Sequence, residues 1–233
     1  MTYKTHLIGG AQAGLLTSMV VGGSYTESVL IVSAAMLGSV LPDLDQPKSK
    51  LCQSDVLVGL LSLAISRITK HRGFTHTLPG AALLGVPFYV LAVFQGGRSD
   101  TEGLFALLSA FVIFVLLHAT GSIFRPLAGC IAVAVYVAGP ELADAIIDAG
   151  LDLAGDSTLA MTMTVSVIAG AISHIFYDAF NKGGVPILWP VTKRNFRLME
   201  IRTNTAGEFW FIVLQIILLG LMLEILGIKL FFG

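Results

Sequence analysis

The chain has 233 residues, of which 55% are hydrophobic and only 12% are charged, and its formal net charge is −1. Soluble domains carry about 25% charged residues, and a soluble core of this size could not bury so much apolar surface, whereas lipid chains can surround it. The near-neutral charge excludes a nucleic-acid-binding surface, and the two distant cysteines, Cys52 and Cys130, exclude a close-spaced thiolate metal motif or a disulfide framework.

Seven apolar runs approach the roughly 20 residues that a membrane-spanning helix requires. They cover residues 6–22, 27–42, 77–95, 103–120, 127–147, 158–180 and 207–230. We interpret the first run as an uncleaved span rather than a signal peptide, because a second apolar run follows at once and no A-x-A-like cleavage site stands out. A shorter apolar stretch, 55–69, suits an interfacial or re-entrant helix better than a span.

These runs predict an all-α fold: a polytopic transmembrane helix bundle of about seven spans plus one interfacial or re-entrant helix, in a single integral membrane domain over residues 1–233. Its orientation follows from Lys and Arg, which collect in cytoplasmic segments. With a cytoplasmic N-terminus, 12 of the 14 basic residues lie inside and only Arg98 and Lys229 lie outside. If 55–69 also crossed, the basic loop at residues 181–206 would face outward and this bias would largely vanish.

Imidazole and carboxylate side chains gather at the ends of the apolar runs, on the side that this topology places in the cytoplasm. The agreement is independent, because the topology follows from Lys and Arg alone. In chain order, these residues are His6 at the first run, Asp43 and Asp45 after the second, His71 and His76 before the third, and His174 with Asp178 at the end of the sixth.

The strongest pair is His174 and Asp178, which are four residues apart and therefore share one face of a helix, about one turn apart. Ionisable groups inside a span are expensive and are a functional hypothesis by default. Mixed nitrogen and oxygen ligands suit zinc, manganese or iron, and bridging carboxylates can hold two ions. The sequence therefore predicts a site for one or two divalent metal ions built from these seven residues.

Each of these residues can also be explained by a structural role. The two aspartates at 43 and 45 could cap and solvate a loop, and the two histidines at 71 and 76 could be interfacial residues near lipid headgroups. His6 could be an ordinary flank of the first span. His174 and Asp178 could hydrogen-bond to neighbouring helices. We interpret the fifth histidine, His118, as a buried packing residue because it belongs to no motif.

The basic loop has two interpretations of its own. Its cations could determine topology and contact anionic lipid, or they could bind a substrate phosphate beside the metal, because arginine forks match phosphate oxygens. Glu208 begins the last span from the same side and is either a general base or further ligand, or an exposed flank. The candidate substrate-binding cations are Arg72, Lys193, Arg194, Arg197 and Arg202.

The motifs follow one another in a characteristic order: LPDLD at 41–45, HRGFTH at 71–76, SH at 173–174 with Asp178, GGV at 183–185 and WP at 189–190. In this order they resemble the YdjM-type inner-membrane proteins of bacteria and archaea, described as membrane-bound metal-dependent hydrolases. The resemblance covers nearly the whole chain, from the His6 region to Glu208. It implies a multi-pass inner-membrane protein whose polar residues are metal ligands.

The leading hypothesis is a metal-dependent hydrolase that acts on a lipid or a lipid-linked phosphoester at the cytoplasmic face, with membrane lipid as its partner and no nucleic acid. The alternative is a transporter or a non-enzymatic metal-binding membrane protein in which the same residues form an ion path. Such a path would place ionisable residues at several depths, whereas here they cluster at one end of the spans. The clustering favours the enzyme.

Overall fold

The computed structural model describes residues 1–22, 25–49, 52–53, 55–69, 72–93, 110, 125–128, 130–134, 137, 157–192 and 194–225. Its bounded helices are α1 (Tyr3–Val21), α2 (Tyr25–Gly38), α3 (Val56–Ile68), α4 (Leu78–Val93), α5 (Ser157–Asp178) and α6 (Ala206–Ile225). Three short 3-10 turns cover Pro42–Asp45, Phe74–His76 and Arg125–Leu127. Within the described ranges the only β-type pairings are two isolated bridges, so the all-α prediction is confirmed.

Five of the seven predicted runs contain one of these helices, and the stretch at 55–69 forms the short helix α3. The runs 103–120 and 127–147 lie largely outside the described residues, and so does His118. Two helical segments of the described chain, Glu27–Asp45 and Ala206–Ile225, are long and apolar enough to cross a membrane by length and composition. The number of spans therefore stays a prediction.

The chain forms two compact units. The first comprises Met1–Pro42, Arg72–Leu84 and Val165–Gly233, and the second comprises Asp43–His71 and Gly85–Thr164. In the second unit, the Asp55 carboxylate caps α3 by accepting the Val58 N–H at 2.8 Å, which satisfies one of the donors that a helix N-terminus leaves open. In the same unit, α3 contacts the turn Arg125–Leu127.

In the first unit, α1 packs against both α2 and α6, and α2 meets α5 backbone to backbone. A Cβ on Gly38 would lie 1.9 Å from the Val167 carbonyl oxygen, and one on Gly170 would lie 1.9 Å from the Ala35 carbonyl oxygen. Only glycine fits at either position, and small residues of this kind allow close helix pairs in membrane proteins. The contact brings the C-terminal end of α2 against α5 one turn before His174.

The basic loop folds back on the end of α5. Val185 and Phe196 exchange backbone hydrogen bonds of 3.0 and 2.8 Å, and the Leu198 N–H donates to the Ala179 carbonyl at 2.8 Å. The beginning of α4 joins the same loop, because the Leu78 N–H donates to the Ile187 carbonyl at 3.2 Å. A small buried cluster lies beneath these contacts and consists of Ala81, Ala171, Ile175, Ala179 and Val185.

Candidate metal centre

The centre is built on the last turn of α5. The helix continues to Asp178, so His174 and Asp178 lie on one face as the spacing predicted, and both are fully buried. One turn earlier, Gly170 holds α5 against α2. The His174 side chain therefore points into a region where helices are already in close contact.

His6 reaches this pair from the first turns of α1. Its ring stacks on that of His174, with centroids 3.7 Å apart and an interplanar angle of 17°, and its Nε2 lies 3.4 Å from Asp178 Oδ1. One ligand atom from each of these three residues lies within 4.8 Å of the other two. Ligands of a tetrahedral ion at about 2.0–2.1 Å are separated by about 3.3 Å, so a small inward movement would suffice.

His76 arrives from the segment that precedes α4. The turn Phe74–His76 is followed by Thr77, whose Oγ1 accepts the Gly80 N–H at 3.0 Å and so caps α4. The His76 ring is fully buried. Its Nε2 lies 3.8 Å from Asp178 Oδ2, and its centroid is 5.1 Å from that of His174. A third imidazole therefore adjoins the cluster.

The hydrogen bond made by His174 defines which of its nitrogens can bind a metal. Its Nδ1 lies 2.7 Å from the Ser39 carbonyl oxygen, which has no intrahelical partner because α2 ends at Gly38. A carbonyl oxygen only accepts, so Nδ1 carries the proton, and the neutral ring has its lone pair on Nε2. A metal-binding histidine is oriented in this same way by a carbonyl on its other nitrogen.

His6 supplies a second indication that the donors fit a metal. Its Nδ1 is buried and has no hydrogen-bond partner within the described ranges. Leaving a buried polar group unsatisfied costs about 1–3 kcal/mol, and an additional partner for this nitrogen would relieve that cost. Three imidazoles with one carboxylate are a donor set typical of zinc and of other first-row transition metals, so the residues fit the predicted ion.

Asp178 is also contacted by two cations. Arg72 Nη2 lies 3.0 Å from its Oδ2, and the α-amino group of Met1 donates to its Oδ1 at 3.0 Å. The Arg72 backbone has a φ of 56°, and its Nη1 also donates to the Gly184 carbonyl at 3.3 Å. A Cβ on Gly183 would lie 2.2 Å from that Nη1, so Arg72 packs directly against the two glycines of the GGV motif.

Glu208, at the beginning of α6, binds the N-terminal segment. One of its oxygens accepts the Thr2 N–H at 2.6 Å and the Thr5 hydroxyl at 3.1 Å. The other accepts the Asn204 N–H at 2.7 Å. The residue is 2% exposed, so it is not an exposed flank. Because Thr5 directly precedes His6, Glu208 fixes the end of α1 that carries a proposed ligand.

The other predicted site residues belong to other segments of the chain. Arg194, Arg197 and Arg202 are exposed on the basic loop, where Arg197 pairs with Glu200 at 2.6 Å. Asp43 and Asp45 form part of the 3-10 turn Pro42–Asp45, and their role as ligands stays a prediction. His71 and Lys193 lie outside the described residues.

Three polar residues near the centre were not predicted from the sequence to belong to it. The Tyr177 hydroxyl donates to Gln12 Oε1, and Gln12 Nε2 donates to the Gln215 carbonyl at 2.8 Å. Gln12 and Gln215 are both buried, and they connect α1, α5 and α6. An amide inside an apolar run was the available signal, since polar groups within spans are expensive.

Comparison with known proteins gives a family for the whole chain. The model of a family described as YdjM inner membrane protein matches residues 1–232. Proteins named inner membrane protein YdjM from Escherichia coli K12 and from Shigella flexneri are each 29% identical over 204 residues, which cover 85% of this chain and 69% of the relative. YvsG from Bacillus subtilis is 23% identical over 155 residues, covering 66% of this chain and 91% of that protein. No solved structure matches the chain.

Proposed function

This chain belongs to the YdjM family of inner membrane proteins, and on that premise we propose that it is a membrane-bound metal-dependent hydrolase. The observation that carries the proposal is the buried convergence of His6, His174 and Asp178, with the His174 tautomer fixed by the Ser39 carbonyl. Three buried rings beside a carboxylate are a preorganised donor set, which packing alone does not require.

We assign the protein's own groups as follows. His6, His76, His174 and Asp178 hold the ion, with Asp43, Asp45 and His71 as further proposed ligands. When bound, a zinc, manganese or iron ion supplies a Lewis acid that activates water and polarises the bond to be hydrolysed. Arg72 holds an anionic group of the substrate, because its guanidinium lies at the edge of the cluster and is partly exposed (21%).

Glu208 is better suited to positioning than to proton transfer. Its two oxygens already accept three hydrogen bonds from the chain, and a general base must reach the proton that it removes. We propose that it holds α1, and with it His6, in position beside α5. The alternative proposal, a general base at this position, is distinguished by the Glu208 variant discussed below.

We also propose the topology and the substrate class. The protein crosses the inner membrane about seven times from a cytoplasmic N-terminus, with α3 interfacial or re-entrant, so the centre lies at the cytoplasmic ends of α1 and α5. The distribution of Lys and Arg supports this orientation. A centre at headgroup level beside Arg72 is suited to a lipid or lipid-linked phosphoester.

A second candidate function is a transporter or metal-binding protein without turnover. The observation that favours it is the buried polar pair Gln12 and Gln215, which extends polar groups along the helices away from the histidine cluster. The two functions predict different outcomes for a lipid substrate and for the metal ion. The enzyme converts a lipid phosphoester that the transporter leaves intact, and the transporter moves the ion across sealed vesicles.

The test combines metal content with turnover. We expect the purified protein to retain a divalent metal and to hydrolyse a member of a lipid-phosphoester panel in a chelator-sensitive way. His174→Ala and Asp178→Ala should each lower metal affinity at least tenfold and abolish hydrolysis, because each removes a proposed ligand. Ser173→Ala, on the same turn of α5, is the matched control and should keep both. Equal metal content in all three variants would refute the centre.

A further inference from the structure

The basic loop exposes apolar side chains that water would not favour. Val191 is 91% exposed and Leu188 is 57% exposed, and several other large apolar residues of the loop are more than one-third exposed. Exposed large apolar side chains that are concentrated in one segment indicate an interaction site. The remaining members of this set are Trp189, Phe196, Leu198 and Met199.

The same loop is strongly cationic. Residues 181–206 contain five basic side chains and one acidic side chain. Arg194 and Arg202 are exposed, and Arg197 is exposed beside the one acidic residue, Glu200. A surface that combines apolar and cationic groups is complementary to the boundary between acyl chains and anionic headgroups.

The backbone of the basic loop limits how deeply the loop can lie in the membrane. Much of it is irregular, with isolated bridges at Asn181–Ile201 and Val185–Phe196, and lipid-exposed irregular backbone is not tolerated in the hydrocarbon core. Tryptophan, by contrast, is enriched at headgroup level. The exposed Trp189 also contacts Phe74, with ring centroids 5.8 Å apart, and this contact attaches the loop to the segment that precedes α4.

We propose that the basic loop is a docking surface for anionic lipid headgroups. Its apolar side chains enter the acyl boundary, and its arginines lie at phosphate level. This inference rests on the inner-membrane family and on the loop itself, and it does not require turnover. Since Arg72 bonds to Gly184 within the loop and to Asp178 in the centre, the docked headgroups lie beside the candidate metal centre.

The depth of the loop can be measured because the chain has two tryptophans. Trp210→Phe leaves Trp189 as the single reporter in full-length protein reconstituted into vesicles. We expect its fluorescence to be quenched by phosphatidylcholine brominated close to the headgroup and less by the same lipid brominated near the chain end. Quenching only by a water-soluble quencher would overturn the proposal.

Lipid selectivity tests the charged half of the surface. Competition between brominated phosphatidylglycerol and unlabelled phosphatidylcholine gives the relative affinity of the anionic lipid at Trp189. Neutralising Arg194 or Arg202 to Gln should lower this ratio by up to about fivefold per residue, the equivalent of about 1 kcal/mol per cation near an anionic surface. An unchanged ratio in the double variant would overturn the assignment of headgroup binding.

The matched control is the Trp189→Phe variant, which leaves Trp210 on the exposed surface of α6. Its quenching should be insensitive to the two arginine substitutions. A second copy of the chain is the other possible occupant. If it covers the loop, cysteines introduced at Val191 will crosslink between copies and Trp189 will be shielded from brominated lipid, and this outcome would also overturn the proposal. Neither outcome affects metal binding, so it leaves the proposed hydrolase separately testable.

Discussion

At the scale of single residues, Asp178 is the point where distant parts of the chain meet. It contacts His6, His76 and Arg72, and it shares α5 with His174. Its carboxylate has several functions at once: it balances cationic charge, it lies beside two imidazoles, and in our proposal it ligates a metal. Substitutions around it separate these functions.

Arg72 is the first residue to test in this way. A guanidinium can reach Asp178 and the Gly184 carbonyl together through two different nitrogens, whereas a lysine ammonium has all of its donors on one nitrogen. We expect Arg72→Lys to lower the free energy of unfolding by about 1.5–3 kcal/mol, the range for hydrogen bonds to charged groups. Thermal unfolding in detergent measures the change.

The control for Arg72 is Arg197→Lys. Arg197 pairs with Glu200 on the exposed surface, and exposed ion pairs contribute about 0–1 kcal/mol. This second variant should unfold at nearly the wild-type temperature. If the two substitutions lower stability equally, Arg72 does not bridge the loop and the centre.

Glu208→Gln distinguishes positioning from proton transfer. The substitution removes the charge and replaces one acceptor oxygen with a donor, so at least one of the contacts with Thr2, Thr5 or Asn204 is lost. We expect metal affinity and thermal stability to fall together, the latter by about 1.5–3 kcal/mol. A variant with full metal content and normal stability but no turnover would instead identify Glu208 as the general base.

At the scale of helices, the contact between α2 and α5 determines where His174 lies. We expect Gly170→Ala to lower metal affinity, because the new Cβ would lie 1.9 Å from the Ala35 carbonyl oxygen and would force the helices apart. The overpacking cost is about 1–3 kcal/mol. Metal titration of the purified variant measures the effect.

Gly220→Ala is the same substitution in a different environment. A Cβ on Gly220 meets no atom within 4 Å, so this variant gains helix propensity without a clash. It should bind metal as the wild type does. Equal metal affinity in the two alanine variants would mean that the close packing of α2 on α5 does not position the centre.

The part of the centre that could be predicted from the sequence is the part that one helix fixes locally. His174 and Asp178 could be paired from spacing alone, because four residues on one helix fix their relation locally. The hydrogen bond from His174 to the Ser39 carbonyl could not be predicted, because it depends on packing between residues 135 positions apart. The contacts of Glu208 were hidden for the same reason: its partners Thr2 and Thr5 lie at the other end of the chain.

At the scale of the whole molecule, the test is topology. The distribution of Lys and Arg predicts a cytoplasmic basic loop and an external segment around Lys229. Reporter fusions within residues 181–206 and after Lys229 should therefore report opposite sides of the inner membrane. If both fusions report the same side, α6 does not cross and the seven-span arrangement is wrong.

The contact between His6 and Asp178 also has a consequence for biosynthesis. These residues are 172 positions apart, so at a synthesis rate of roughly 5–20 residues per second the imidazole emerges roughly 9–34 s before its carboxylate partner. During that interval α1 carries one proposed ligand, His6, and lacks the proposed ligands of α5. Glu208, which fixes the end of α1, is made later still. On our proposal, metal loading would therefore be a late maturation step, and a nascent chain interrupted before α6 would leave the ribosome without a completed centre.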